Sequence, residues 1–256
     1  MKIALIVAGV GDTSTCVNCL RDAALIRKLR GLGHEVLVVP LYLPFRPEGQ
    51  RQAGETPIFF GGINVYLQQK SVFFRKTPRW FDRIFDSLKL LKWANQKFQM
   101  VDAQVLGQTT VSMLRGRDGH QVKELDRLSS WLKKKNNRPD VVCLSNALLA
   151  GLAKSLKLTV GVPIVCLLQG EDKFLDELAG PYGQQAWEIL GGCVREIDAF
   201  ITVEECYADV MKKRLGIVQD KMHFVYADNS EGEGGAKRNI DNIAHGIVSI
   251  FTRILK

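Results

Sequence analysis

The chain of 256 residues lacks the motifs that would assign it directly to a common class of enzyme. Its four histidines do not follow the spacing of a metal site or of a Ser-His-Asp triad. Cys16 and Cys19 form a CxxC motif, but no second pair at zinc spacing accompanies it, so we favour structural cysteines over a redox role. We therefore expect no metal and no cofactor. The histidines are His34, His120, His223 and His245.

Long hydrophobic runs are also absent. No apolar run approaches the roughly 18 residues that a membrane-spanning helix needs, and the apolar stretch at residues 3–8 is too short for the core of a signal peptide. This predicts a cytoplasmic protein. A hydrophobic content of 46% allows a substantial core, which favours one large α/β domain over two small ones. The net charge of +8 favours an anionic partner: a nucleotide, a phosphorylated sugar, a nucleic acid or a membrane surface.

The most informative segment runs from Pro139 to Asp172. Residues 141–144 and 162–168 are apolar throughout, as in parallel strands covered on both faces, and the apolar run at 147–158 between them is long enough for a crossover helix. Both strands are followed by polar residues. Parallel α/β sheets bind ligands at the carboxyl edge, so this pattern predicts a site there. Its candidate residues are Ser145, Asn146, Gln169, Gly170, Glu171 and Asp172.

The first 40 residues predict a second βαβ unit. Residues 2–8 and 35–39 have strand character, and residues 17–32 carry apolar side chains at helical spacing. The connecting turn contains Gly9 and Gly11, but a GxGxxG fingerprint would need a third glycine where Ser14 stands. A polar loop that leads into a helix favours anion contact, and ordinary turn chemistry explains the same residues equally well.

Two segments between these units have other patterns. Residues 57–67 predict a β-hairpin, because Gly61 and Gly62 suit a two-residue turn. Residues 79–98 predict an amphipathic helix rich in aromatic and basic side chains. Such a helix can lie on an anionic membrane, but we favour an ordinary surface helix.

The remaining pattern alternates helices with strands. Helices are predicted at 121–135, 184–197 and 204–215, and strands at 199–203 and 222–226. The whole chain therefore predicts an α/β fold with a single Rossmann-like, doubly wound and mainly parallel sheet, helices on both faces, a hairpin insertion and a C-terminal packing helix.

Several motifs, in this order and spacing, resemble the amino-terminal domain of GT-B glycosyltransferases of the family 4 type. The resemblance covers residues 1–226 and implies that this domain contacts a sugar or glycolipid acceptor, while a second Rossmann-like domain binds the nucleotide sugar. It implies no nucleic-acid partner. The family's frequent His-Gly appears here as Gln169-Gly170, so the catalytic residues stay unknown. The motifs are RPDVV at 138–142, GVPIV at 161–165, LQGED at 168–172 and IDAFITV at 197–203.

The resemblance also implies an acceptor site at Gly9, Gly11 and the polar residues that follow the two central strands. Beyond residue 226, the sequence predicts a Gly-rich flexible linker at 227–238 and a helix at 239–256. Isoleucines form an apolar stripe along that helix, so we expect it to pack back on the domain or on a second copy, giving a monomer or a domain-exchanged dimer.

We interpret the chain as the acceptor-binding half of a glycosyltransferase, engineered or naturally minimised and inactive alone, because no donor-binding domain follows residue 226. A nucleotide-sugar donor is expected only for a full-length enzyme. The alternative is a stable α/β scaffold or interaction protein without catalytic activity, in which the polar residues only cap strands and helices.

Overall fold

The computed structural model describes residues 1–8, 17–41, 57, 59–60, 103–226 and 233–256. Within these residues the strands form one sheet of six parallel strands in the order β2-β1-β3-β4-β5-β6. The Rossmann-like α/β fold predicted from the sequence is thereby confirmed. The strands are β1 (Lys2–Val7), β2 (Glu35–Pro40), β3 (Val141–Leu144), β4 (Ile164–Leu167), β5 (Ala199–Thr202) and β6 (Met222–Phe224).

Helices cover both faces of this sheet. They are α1 (Val17–Gly31), α2 (Ala103–Leu114), α3 (Val122–Leu132), α4 (Ala153–Val160), α5 (Glu171–Asp176), α6 (Tyr182–Cys193), α7 (Glu205–Leu215) and α8 (Glu233–Ile254). Short 3₁₀ turns lie at Gly116–Asp118, Ala147–Leu152, Val194–Glu196 and Gln219–Lys221.

Alternation along β1 shows how the two layers of the core are built. Ile3 and Leu5 pack in one cluster with side chains of α1 and α8, whereas Ala4 and Ile6 pack in the other with side chains of α2, α3, α4, α6 and α7. Successive side chains of a strand point to opposite faces, so a strand covered on both sides has to be apolar throughout. This is why the central strands have continuous apolar sequences.

The C-terminal helix α8 packs on the same face as α1. Ile243, Ile247 and Ile250 are buried there, and Lys28 of α1 forms an ion pair with Asp241 at 2.8 Å. The helix begins at Glu233, inside the segment predicted as linker. The apolar stripe predicted from the isoleucines therefore covers the sheet in its own chain.

The predicted crossover helix at 147–158 is two elements: the 3₁₀ turn at Ala147–Leu152 and then α4. Gly151 lies in this 3₁₀ turn with its backbone against the carbonyl groups of Met113 and Leu114 at the end of α2, which leaves no room for a side chain. Helix α2 was not indicated by the sequence pattern. Its interior Gly107 lies against the ring of Tyr182 in α6.

Several predictions fall on residues outside the described ranges. They are the Gly9 and Gly11 turn, the helix at 79–98, the linker at 227–232 and most of the hairpin at 57–67. Of the hairpin segment, Phe59 and Phe60 are described and buried, and the backbone N–H of Phe60 donates to Oε2 of Glu124 at 3.3 Å. Among the described helices, none has the length and apolar character needed to cross a membrane.

Candidate functional site

The polar residues predicted to share a site lie at one edge of the sheet. Leu144 at the end of β3 pairs with Cys166 near the end of β4, so Ser145 and Gln169 follow neighbouring parallel strands. The backbone N–H of Ser145 donates to the carbonyl oxygen of Ile6 at 2.9 Å, which places the end of β1 beside it. The sheet order reverses between β1 and β3. Open α/β sheets bind ligands in the crevice outside such a reversal.

Glu171 holds three elements together at this edge. Its side chain is buried, and Oε1 accepts a hydrogen bond from the backbone N–H of Ala147 at 2.7 Å. Oε2 accepts from the N–H of Gln169 at 2.9 Å and from the hydroxyl of Tyr207 at 2.7 Å. The Tyr207 oxygen in turn accepts from the N–H of Glu171 at 2.8 Å. Glu171 therefore fixes the loops after β3 and β4 against α7.

The surroundings of Tyr207 raise its pKa. Burial is the largest cause, and the negative charge of Glu171 and the hydrogen bond to its carboxylate add to it, because each favours the neutral phenol. The hydrogen bond from the backbone N–H of Glu171 acts in the opposite direction on this pKa. Tyr207 therefore stays a hydrogen-bond donor to Glu171 throughout the physiological pH range. The sequence analysis did not place Tyr207 in the site.

Asp22 is the main site residue that the sequence analysis missed. It is 5% exposed on α1, and its Oδ1 accepts a hydrogen bond from Nε2 of Gln169 at 2.9 Å. Burial raises its pKa from 3.8 to about 6, while hydrogen bonds from Gln169 and Ser145 and the charge of Arg21 act in the opposite direction. The sequence could have indicated that Asp22 is buried, because it lies on the same face of the helix as the buried Ile26 and Leu29.

The side-chain amide of Gln169 contacts Asp22 through its nitrogen and leaves its oxygen available as a hydrogen-bond acceptor. Its Nε2 donates to Asp22, but its Oε1 is buried and has no hydrogen-bond partner among the residues that the structure describes. A buried amide oxygen without a donor costs about 1–3 kcal/mol. A hydroxyl group brought to this edge by a ligand would supply the missing donor. Ser145, Asp22 and Gln169 are called the strand-end cluster below.

Three other predicted residues lie where the 3₁₀ turn and α5 begin. Oδ1 of Asn146 accepts from the N–H of Leu148 at 3.1 Å and caps the 3₁₀ turn. Gly170 precedes α5 with φ +86°, a conformation that glycine adopts without strain. Asp172 is half-buried in the first turn of α5. Gly9 and Gly11 lie outside the described residues, beyond the end of β1.

The described part of the chain contains no group of three or more His, Cys, Asp or Glu side chains able to hold a metal ion. The strand-end cluster itself supplies the buried carboxyl of Asp22, the amide of Gln169 with a spare acceptor and the hydroxyl of Ser145. Such a set binds and orients hydroxyl groups by hydrogen bonding.

Comparison with known proteins was informative at the level of the family. A family model described as a glycosyl transferase 4-like domain matches residues 23–228. No curated protein matches the chain. A solved structure to which it is similar is the apo form of the lipopolysaccharide outer core galactosyltransferase WaaB. The TM-score is 0.46 with 14% sequence identity, covering 91% of this chain and 47% of that one. The chain thus spans about half the length of that galactosyltransferase.

Proposed function

The chain belongs to the glycosyl transferase 4-like domain family, and we propose that it is the acceptor-side domain of a GT-B glycosyltransferase. The described residues form one Rossmann-like sheet. In the GT-B architecture that the sequence resembles, a sheet of this kind contacts the acceptor, and a second domain of the same type binds the nucleotide sugar. Transfer would then take place between the two domains.

The observation that supports acceptor binding is Oε1 of Gln169, which is buried at the strand-end cluster and has no partner within the described part of the chain. Sugars present many hydroxyl donors, and a buried amide oxygen held at the carboxyl edge discriminates in favour of such a donor. Asp22 acts here as a positioning residue, because its hydrogen bond from Nε2 fixes which way the Gln169 amide faces. The proposed acceptor is therefore a sugar or the sugar headgroup of a glycolipid.

This proposal assigns binding to the strand-end cluster and assigns no catalytic residue to it. Glu171 has both carboxylate oxygens engaged with neighbouring groups and serves to shape the loops. The proposal expects residues 1–256 alone to bind an acceptor without transferring sugar from a nucleotide sugar. A donor-binding domain would complete the activity.

An NMR titration of the ¹⁵N-labelled chain with glucose, galactose and a soluble glycolipid headgroup tests this function. We expect at least one of them to shift the backbone resonances of residues 145–146 and 169–172. Gln169→Leu should abolish those shifts while keeping the fold. The matched control is Gln184→Leu, because Gln184 is an exposed glutamine on α6.

Loss of the shifts in both glutamine variants, or their persistence in Gln169→Leu, would overturn the assignment to this cluster. An absence of shifts with every sugar would overturn acceptor binding by this chain. Melting curves of both variants separate a lost contact from a lost fold.

A further inference from the structure

A cavity of about 520 Å³ lies between β6 and α8, away from the strand-end cluster. Strand β6 is the last strand of the sheet, and β5 separates it from β4. Volumes in this range are typical of sites for small molecules. The residues that matter here are His223 and Tyr226 on the strand side and His245, Ser249 and Arg253 on the helix side.

The sequence of α8 creates this cavity by giving the helix a second face. Ile243, Ile247 and Ile250 point to the sheet and are buried. Residues at 242, 245, 249 and 253 recur at intervals of three or four and line the cavity with polar side chains. Gly246 allows the helix to approach the strand, because its backbone lies against the side chain of Val225 with no room for a Cβ.

One end of the cavity presents hydrogen-bond donors side by side. Nη2 of Arg253 lies 3.4 Å from Nδ1 of His223. A guanidinium group can only donate, so Nδ1 of a neutral His223 accepts and its proton is on Nε2. Arg253 and His223 then have further N–H groups, for which the residues described here provide no hydrogen-bond acceptor. A planar guanidinium beside an N–H donor suits the oxygens of a phosphate group.

The charges around this end favour an anion. No Asp or Glu stands among the described residues that line the cavity. Among the residues that the structure describes, the charge of Asp220 acts on His223, and Asp241 on α8 forms an ion pair with Lys28. Arg253 is exposed, and among the residues that the structure describes its one hydrogen-bond partner is His223. Its positive charge is therefore not neutralised by a neighbouring carboxylate.

We propose that this cavity is a binding site for a phosphate-bearing ligand, with the phosphate group held between Arg253 and His223. The rest of the ligand extends past the end of β6 to Tyr226, which is 73% exposed. From His223 to Tyr226 an extended chain covers about 10 Å, enough for a phosphate and one attached sugar or aromatic ring. This site goes beyond the proposed acceptor function, because its residues lie on α8, on β6 and just after β6.

Titration with inorganic phosphate, followed by the side-chain ¹⁵N resonances of the histidines, tests the phosphate contact. We expect a shift at His223 with a Kd on the order of 1 mM, the weak range of a single small anion in an open site. Arg253→Gln should weaken binding at least about tenfold, because charged hydrogen bonds carry most of such affinity. Lys256→Gln is the matched control: it removes one exposed positive charge near the same helix end but outside the cavity lining.

Equal weakening in the two variants would show a general charge effect and overturn the site, as would unchanged affinity in Arg253→Gln. An absence of any shift at His223 in the wild type would overturn it as well. Arg253 is exposed, so we expect the melting temperature of Arg253→Gln to match that of the wild type.

Two further titrations distinguish the source of the phosphate. Tighter binding of glucose 1-phosphate than of inorganic phosphate, lost in Arg253→Gln, would identify a soluble sugar phosphate. Cosedimentation with phosphatidylglycerol vesicles but not with phosphatidylcholine vesicles, lost in Arg253→Gln and kept in Lys256→Gln, would identify a lipid headgroup. If the variants do not differ in either titration, the site is not where the phosphate binds.

Discussion

The phenol oxygen of Tyr207 on α7 accepts from the backbone N–H of Glu171 and donates to the carboxylate of the same residue, at 2.8 Å and 2.7 Å. One side chain thereby satisfies both the main chain and the side chain at the start of α5. This double contact connects the loop after β4 to the helix that follows β5. The strand-end cluster depends on it, because Glu171 also binds the N–H of Gln169.

Removing the Glu171 carboxylate should destabilise the protein strongly. Glu171→Ala leaves the buried N–H of Ala147, the partly buried N–H of Gln169 and the Tyr207 hydroxyl without their acceptor, so we expect the free energy of unfolding to fall by about 3 kcal/mol. Urea denaturation measures this change. Asp172→Ala is the control and should cost less than about 1 kcal/mol, since Asp172 is only half-buried. Equal losses would contradict the role of Glu171.

The raised pKa of Asp22 predicts a specific pH dependence of stability. The folded protein binds the Asp22 proton up to about pH 6, whereas an unfolded aspartate releases it near 3.8. The contribution of Asp22 to stability is therefore complete below pH 3.8 and is lost as the pH rises through about 6. Asp22→Asn removes this loss and should be more stable than the wild type above that pH, by up to about 3 kcal/mol.

Urea unfolding of the wild type and Asp22→Asn from about pH 4 to about pH 8 checks this prediction, because the other titrating groups cancel in the difference between the two proteins. A difference in unfolding free energy that does not change with pH would show that Asp22 has an ordinary pKa in the folded state.

The packing of α8 can be tested by a matched pair of isoleucines. Ile247 is 2% exposed against the sheet, whereas Ile254 is only half-buried at the end of the helix. Ile247→Ala should lower the free energy of unfolding by about 2–4 kcal/mol through lost burial and a cavity. Ile254→Ala should cost clearly less. Similar small effects in thermal or urea unfolding would mean that α8 does not cover the core.

Two glycines should respond in opposite directions to alanine. Gly170 has φ +86°, so a side chain there is strained and Gly170→Ala should destabilise the protein by about 1–2 kcal/mol. Gly191 lies inside α6 in an ordinary helical conformation with open space at its Cβ position, so Gly191→Ala should stabilise by up to about 1 kcal/mol. Differential scanning calorimetry of the two variants measures whether each substitution raises or lowers the stability of the protein. A loss of stability at Gly191 would contradict the conformational explanation.

The sequence predicted the sheet well because its signal is strong and local. Apolar runs such as 141–144 and 164–167 cannot be exposed without cost, and a buried parallel strand is their simplest location. The polar residues at their ends could be predicted for the same reason, since the end of each strand fixes where they lie.

The contacts within the site could not be predicted from the sequence in the same way. Asp22 meets Gln169 across 147 residues of sequence, and Tyr207 meets Glu171 across 36, so neither pair leaves a local pattern. The sequence places Glu171 among the acceptor-site candidates because it follows β4 at the carboxyl edge of the sheet. Here three donors surround its carboxylate, and that environment arises only from the folded arrangement of α7 and two loops.

The contact between α1 and α8 has a consequence for the order of folding. Side chains from residues 23–29 and 243–251 share one apolar cluster, so that layer of the core joins segments separated by most of the chain. Contacts between residues so far apart in sequence form late in folding, because closing the long loop between them costs conformational entropy. During synthesis, the outer faces of Leu25 and Ile26 stay uncovered until α8 has been made. A nascent chain halted before residue 239 should therefore depend on chaperones that shield this surface.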